Sequence, residues 1–384
     1  MRKRVGIAAV AAAFAVTAAA CGGTADTATE APAEETPAEA PAEEAPAEAP
    51  ADDIEIGFVT HVVGNPFIQQ IIDAALQAGE DLGVTVTVAG PTGGEADAQL
   101  AAVENLVAAG VDGIATSVPS SSMDNALNAI IDSGIPVATF NLLSPAVNAP
   151  YVGEKSVESG RILGARIVEL LGGEQQAKGT VVVGICFPGF PVLENRAKGV
   201  QEALAKAPGI KVEGPFDVKV DAAENYSKWE GLYQANPDVA ALVGLCAPDV
   251  ESLGQLKAKN PKAKFIAGGY DLTPGNVAAI ANDTAQVSLG QTPFMQGYLP
   301  VYMLVQAIRD GVKLEPGFVD AGTEIATSNP LQVIQPYGLP QLTFDELAVI
   351  AGDPKKSREF YQPLVDGIIK NWQAEVQPIA NESS

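Results

Sequence analysis

The stretch IEIGFVTHVVGNPFIQQIIDAALQAGEDLGVTVTV, residues 54–88, decides the fold. Residues 54–59 form a short apolar run that reads as a strand. Residues 67–82 place Ile71, Ile72, Ala75 and Leu76 on one helical face, and residues 84–88 are β-branched again. Outward from there the alternation continues, with helices expected over 98–109 and 123–133 and strands over 111–115 and 136–140. Strands apolar on both faces, separated by helices, predict a parallel sheet covered on both sides.

The rhythm restarts after Tyr151-Val152-Gly153. A helix over 161–171, closed by Gly172-Gly173, is followed by a strand over 180–185 and a helix over 192–206. A strand over 218–220, a helix over 223–235, a strand over 240–245 and a helix over 250–258 follow, and segments 264–267, 277–282, 285–289 and 295–309 complete the pattern. The fold class is therefore α/β, two doubly wound Rossmann-like lobes in series. In such sheets ligands bind beyond the carboxyl ends of the strands, so the loops there are the place to look for function.

Those loops carry polar and aromatic groups. After the first strand comes His61-Val62-Val63-Gly64-Asn65-Pro66-Phe67, in which Asn65 and Phe67 suit hydrogen bonding and stacking on a small polar ligand. The same residues also fit a helix cap and a core ring. The fourth strand ends in Asn141, and the loop Cys186-Phe187-Pro188-Gly189-Phe190 leads into a helix with Arg196, whose fork suits adjacent hydroxyls or, equally, a surface pair with Glu194 or Glu202. Ala247-Pro248-Asp249, Tyr270-Asp271 and Gln291-Thr292 close later strands. Cys186 and Cys246 end two strands that the doubly wound order sets side by side, ~4.8 Å apart, so a disulfide between them is expected in an oxidising exterior.

The ends differ from the middle. Arg2, Lys3 and Arg4 precede an uncharged apolar run to Ala20, the layout of a secretory signal over 1–21, shorter than a spanning helix. Ala18-Ala19-Ala20-Cys21-Gly22 resembles the bacterial lipoprotein signal, with Cys21 as the lipidated residue; Ala18 stands where Leu is common, and an ordinary Ala-x-Ala cleavage is the alternative. Residues 22–53 are mostly Ala, Pro, Glu and Thr, with ten acids and no base, a composition that makes an extended tether. The whole chain carries 47 acids against 23 bases, and residues 54–384 alone remain at −17, which disfavours nucleic acid and favours a neutral ligand. One His and three Cys leave too few soft ligands for a metal framework, so no metal and no cofactor is expected.

IGFVTHVVGNPF, ENLVAAGVDGIA, IPVATFN, ENRAKGVQEALAKAPGIKV, GGYDLTP and LGQTPFMQGY, in that order over residues 54–325, resemble the ribose/galactose-type periplasmic sugar-binding family. The resemblance implies a type I fold: two lobes joined by a three-segment hinge, closing on one monosaccharide, serving as the capture subunit of an ABC importer. It divides the chain into an N-terminal lobe (54–153 with 292–322) and a C-terminal lobe (154–291 with 323–340); the stretch beyond exceeds what that family needs, and its amphipathic pattern predicts a helical extension (341–384) with helices over 342–351 and 359–374 packed on a lobe. It assigns ligand binding to Asn65, Phe67, Arg196, Asp271 and Gln291, adds Asn141, and places His61, Phe187, Ala247 and Asp249 nearby. Ile68 stands where ribose binders have a second Phe, and Asn141-Leu142 where they have Asp-Arg. With Ile68 unable to stack, Phe187, Phe190 or Trp229 are the candidates for the opposite apolar wall.

No Gly-x-Ser-x-Gly elbow or His-Glu-x-x-His occurs, so an enzyme is not expected. The expected function is an exported, lipid-anchored, monomeric receptor that captures a sugar or polyol and delivers it to a membrane permease, touching the membrane through its lipid only. A sensor presenting a sugar or furanose-like signal to a signalling receptor is the alternative. Replacing Asp271 or Arg196 with Ala is expected to abolish binding with little change in ligand-free melting temperature.

Overall fold

Two sheets stand side by side, each with its first five strands in the order 2-1-3-4-5. The computed structural model describes residues 53–335, 339–367 and 369–383. The first sheet takes β1 (Glu55–Val59), β2 (Thr85–Ala89), β3 (Gly113–Thr116), β4 (Val137–Phe140) and β5 (Pro150–Gly153). The second takes β6 (Lys178–Ile185), β7 (Gly209–Asp217), β8 (Ala241–Gly244), β9 (Ile266–Tyr270) and β10 (Val287–Gly290). β11 (Gly317–Asp320) returns to the first sheet beside β5, and β12 (Glu324–Ser328) and β13 (Leu331–Ile334) add antiparallel to the second beyond β10. The other pairings between these strands, among the described residues, are parallel.

The helices explain why the strands are apolar on both faces. α1 (Pro66–Leu82), α2 (Ala96–Ala109) and α3 (Asp124–Asp132) join the strands of the first sheet. α4 (Ser156–Leu170), α5 (Pro191–Leu204), α6 (Ala222–Ala235), α7 (Asp249–Lys259) and α8 (Pro274–Ala281) serve the second, and α9 (Pro293–Asp310) returns to pack against α1. Ile56 and Phe58 of β1 share a core with α1 and α9, while Val59 of the same strand joins Val103 of α2 and Leu127 of α3. In the second lobe Val182 of β6 meets Trp229 and Leu253 on one face, and Val181 and Val183 meet Leu163 and Val200 on the other.

The chain passes between the lobes after β5, after β10 and between β11 and β12, which is the three-segment hinge of a type I binding fold. Three elements differ from expectation, the first being the helix placed at 161–171, which begins at Ser156. The strand placed at 218–220 lies at Gly209–Asp217 instead: β7 is an edge strand, half exposed, and so lacks the continuous apolar run that marks the buried ones. The helix expected over 359–374 starts earlier as α11 (Pro354–Asp366), after α10 (Phe344–Gly352); it stops before Gly367 and resumes in a 3-10 turn (Ile369–Asn371) and a short α12 (Trp372–Glu375). Asp353 caps α11 by accepting from Lys355 and Lys356 amides, which explains the early start. The signal, Cys21 and the acidic tether up to Asp52 lie outside the described residues, as does Ile368.

Candidate functional site

The carboxyl ends of β1, β4, β6, β8, β9 and β10 converge on one cleft between the lobes. From the first lobe it is lined by His61, Val62, Asn65, Phe67, Ile68, Asn141 and Leu142. From the second come Cys186, Phe187, Phe190, Arg196, Val220, Cys246, Ala247 and Asp271, with Gln291 at the second crossing. The lobes nearly meet over it, leaving a cavity of about 50 Å³. His61 lies edge-on to Phe187 and Phe190 across the gap, at 6.4 and 6.0 Å between centroids.

Local sequence sets each side chain. Asn65 caps α1, its Oδ1 accepting from the Phe67 and Ile68 amides, so the cap and the cleft-lining position coexist and the Nδ2 group remains. Phe67 is likewise both core and cleft wall. Asn141 and Asp271 follow the fourth strand of their respective lobes, and both adopt left-handed backbone, at φ 61° and 71°. Asn and Asp tolerate that conformation better than most residues, and it turns each out of its strand at the cleft. A chain of amides links them through the hinge: Asn141 Nδ2 donates to Gln296 Oε1 (2.9 Å) and to Gln291 Oε1 (3.4 Å), and Gln291 Nε2 donates to Asp271 Oδ1 (2.6 Å).

Arg196 is not the surface residue that a pair with Glu194 or Glu202 would make it. Glu202 holds Arg161, Glu194 accepts from the Gly189 amide, and Arg196 is buried with Glu154 of the first crossing. Its Nη1 donates to the Leu245 carbonyl at 3.1 Å, and the guanidinium lies 4.1 Å over the Tyr270 ring. Its place depends on close helix packing: a Cβ on Gly160 of α4 would lie 2.3 Å from the Arg196 carbonyl oxygen, so only glycine lets α5 come this near. Burial opposes the Arg196 charge, but Glu154 facing it keeps the guanidinium protonated beyond its ordinary range.

Burial pushes the Asp271 carboxyl up to about 7, against the pull of Arg196 and the Gln291 hydrogen bond. His61, with Nδ1 3.2 Å from Ser117 Oγ, is lowered to about 3 by burial and is a neutral ring. The Sγ atoms of Cys186 and Cys246 are 2.05 Å apart, tying the loops after β6 and β8 together at the cleft wall.

Two expected residues are placed elsewhere. Asp249 begins α7 fully buried beneath the cleft, its carboxylate accepting from Trp229 Nε1 (2.8 Å), Asn225 Nδ2 (2.7 Å) and the Cys246 amide (2.8 Å). Its acceptors are spent on anchoring the loop that carries Ala247. Trp229 lies in the core against Gly184 of β6 and supplies no cleft wall; Phe187 and Phe190, stacked at 4.6 Å, do. Residue reading missed Glu154 and Gln296, which support Arg196 and Asn141. Glu154 stands directly after a strand, a signal that was available; Gln296 sits inside α9 with none.

A cleft at the carboxyl ends of two such sheets, walled by both lobes and spanned by a hinge, defines a two-lobed binding protein that closes around its ligand. The chain belongs to the family of the periplasmic binding protein domain, whose profile matches residues 56–312. Such substrate-binding proteins are exported. A xylose/arabinose-binding protein of Sulfolobus acidocaldarius is 26% identical over 310 residues, 74% of this chain and 72% of its own. A D-apiose import binding protein of Actinobacillus succinogenes is 25% identical over 244 residues, covering 59% and 75%. Among solved structures, an ABC transporter solute-binding protein of Burkholderia graminis, in complex with D-arabinose, is 25% identical with a TM-score of 0.68, over 73% of this chain and 98% of that one.

Proposed function

We propose that this protein captures a neutral monosaccharide, a pentose first among them, between its lobes and delivers it to an ABC permease. The observation that carries the reading is the lining of the cleft: neutral amides, one buried arginine and one carboxyl poised near neutrality, set among Phe67, Ile68, Phe187 and Phe190. Sugars present hydroxyls at their edges and apolar C–H faces, and that combination answers both. In this reading Arg196, Asp271, Asn141, Asn65 and Gln291 match the hydroxyls, the two C-lobe rings and Phe67 cover the faces, and His61 and Ala247 fill the rim. The pentose-binding relatives favour a five-carbon ligand. Contacts to both lobes exist together only when the cleft is shut, so binding shifts the hinge equilibrium and the permease reads the closed form.

Cys21, lipidated, would hold the mature chain at the outer face of the membrane, with residues 22–53 as a tether and the lobes acting as a monomer. Calorimetry against D-xylose, L-arabinose, D-arabinose, D-apiose, D-ribose, D-glucose and ribitol tests the central proposal. At least one pentose should bind with negative heat capacity change and unit stoichiometry, and silence across the panel would sink it. Release of a Cys21→Ala variant from the membrane fraction tests the anchor.

A further inference from the structure

The extension beyond β13 touches both lobes in succession. Phe344 and Leu347 of α10 enter the core of the second lobe with Val277 and Val333. Asp353, the residue after α10, caps α11, which lies on the first lobe: its Tyr361, Leu364 and Val365, with Ile369 and Trp372 beyond its end, join the core of α1 and α9. Tyr361 stacks on Phe294 at 5.3 Å, Trp372 Nε1 donates to Gln306 Oε1 at 2.7 Å, and Arg358 pairs with Asp81. Gln377 then exchanges backbone hydrogen bonds with Phe318 at the edge of the first sheet. Finally Glu382 returns to the second lobe, bonded to Ser156 of α4 and, at 3.4 Å, to Asn195 of α5.

We propose that residues 339–367 and 369–383 form a strap that crosses between the lobes twice more, beyond the three hinge segments, and holds them near the closed arrangement. The joint between α10 and α11 is short, and it sits where the lobes touch. Gln70 of α1 donates both to the Ala351 carbonyl, at 3.1 Å, and to Leu272 beside the cleft, at 3.4 Å. Tyr361 Oη reaches from the first-lobe face to Glu324, the first residue of β12 in the second, at 2.7 Å. Swinging the lobes apart must break these bonds or peel one helix from its core, so the strap restricts opening and reduces the closure cost borne by a ligand. The inference does not depend on what the ligand is.

The test uses the whole folded part without ligand. A flexible Gly-Ser-Gly-Ser-Gly-Ser insertion between Gly352 and Asp353 leaves both helices anchored but lengthens the joint. Small-angle scattering should then give a larger radius of gyration, and amide exchange at the crossings around 153–156, 291–292 and 321–323 should quicken. For any sugar the wild type binds, the dissociation constant should rise about tenfold, since a smaller closed fraction scales the apparent affinity. The double variant Tyr361→Phe with Glu382→Gln, which keeps the ring on Phe294, should move scattering the same way by less. Unchanged scattering and exchange in whichever variant folds would overturn the strap.

Discussion

The two walls of the cleft are built from equivalent backbone and unlike chemistry. Asn141 and Asp271 occupy the same place after the fourth strand of their lobes, both left-handed, yet one is an amide and the other a carboxyl. The first-lobe wall contains no ionised group among its lining residues, since His61 is held neutral. The second-lobe wall contains Arg196, Asp271 and the linked cysteines. Direction and strength of hydrogen bonding therefore reside in one lobe, whereas the other contributes shape and closes over it. A ligand should bind first on the second lobe.

The largest break in that asymmetry is Arg196→Ala. It removes the guanidinium from the cleft and leaves Glu154 buried without its cation, so sugar binding should vanish and stability should fall by about 3–5 kcal/mol, seen as a lower melting temperature. Here the structure reverses the sequence-based expectation of an unchanged melting temperature, because Glu154 depends on the same arginine. Reduction, or Cys246→Ser, comes next. Opening the link between residues 60 apart should cost about 2–5 kcal/mol by thermal melting. It should also weaken affinity by freeing the Phe187–Phe190 wall, with no counterpart in the first lobe.

Asp271 sharpens the comparison through pH. Its folded pKa of about 7 lies above the ordinary 3.8, so the neutral form is the one the fold favours. Its contribution to stability is whole below about pH 4 and fades as pH climbs through about 7. Ligand hydroxyls that donate to the carboxylate favour the ionised form, so affinity should rise over pH 5 to 7 and binding should release protons. Calorimetry in buffers of different ionisation enthalpy would show this. Asp271→Asn should flatten both profiles and lower affinity about tenfold or more. His61 runs the other way: with a folded pKa of about 3 it stabilises above its ordinary 6.5, and that contribution is lost as pH falls toward 3. The smallest effect belongs to Asn65→Ala, where loss of the α1 cap should cost about 1 kcal/mol and a few-fold in affinity.

Most of the architecture was legible in the chain because buried parallel strands must be apolar on both faces, and β1, β4, β8 and β10 are. β7 escaped since an edge strand faces water on part of its surface and needs no such run. Asn65, Asn141, Asp271 and Gln291 follow strand ends, Phe67 and Arg196 lie in the helices that such loops lead into, and the family resemblance singled out all but Asn141; all six line the cleft. Asp249 was picked out by the same rule and is a loop anchor: position after a strand does not reveal whether a carboxylate's lone pairs are already taken.

What the sequence determined by itself is therefore the rhythm of the fold, the two lobes, the acidic leader and the loops from which a site is made, all properties carried by local period and composition. What only the tertiary structure decided is pairing, marked by no local signal, between residues far apart: Arg196 with Glu154, Asn141 with Gln296, and an extension anchored on both lobes. Such contacts depend on distances across the folded chain, and burial, which sets the charge state of Asp271 and His61, exists only once those distances close.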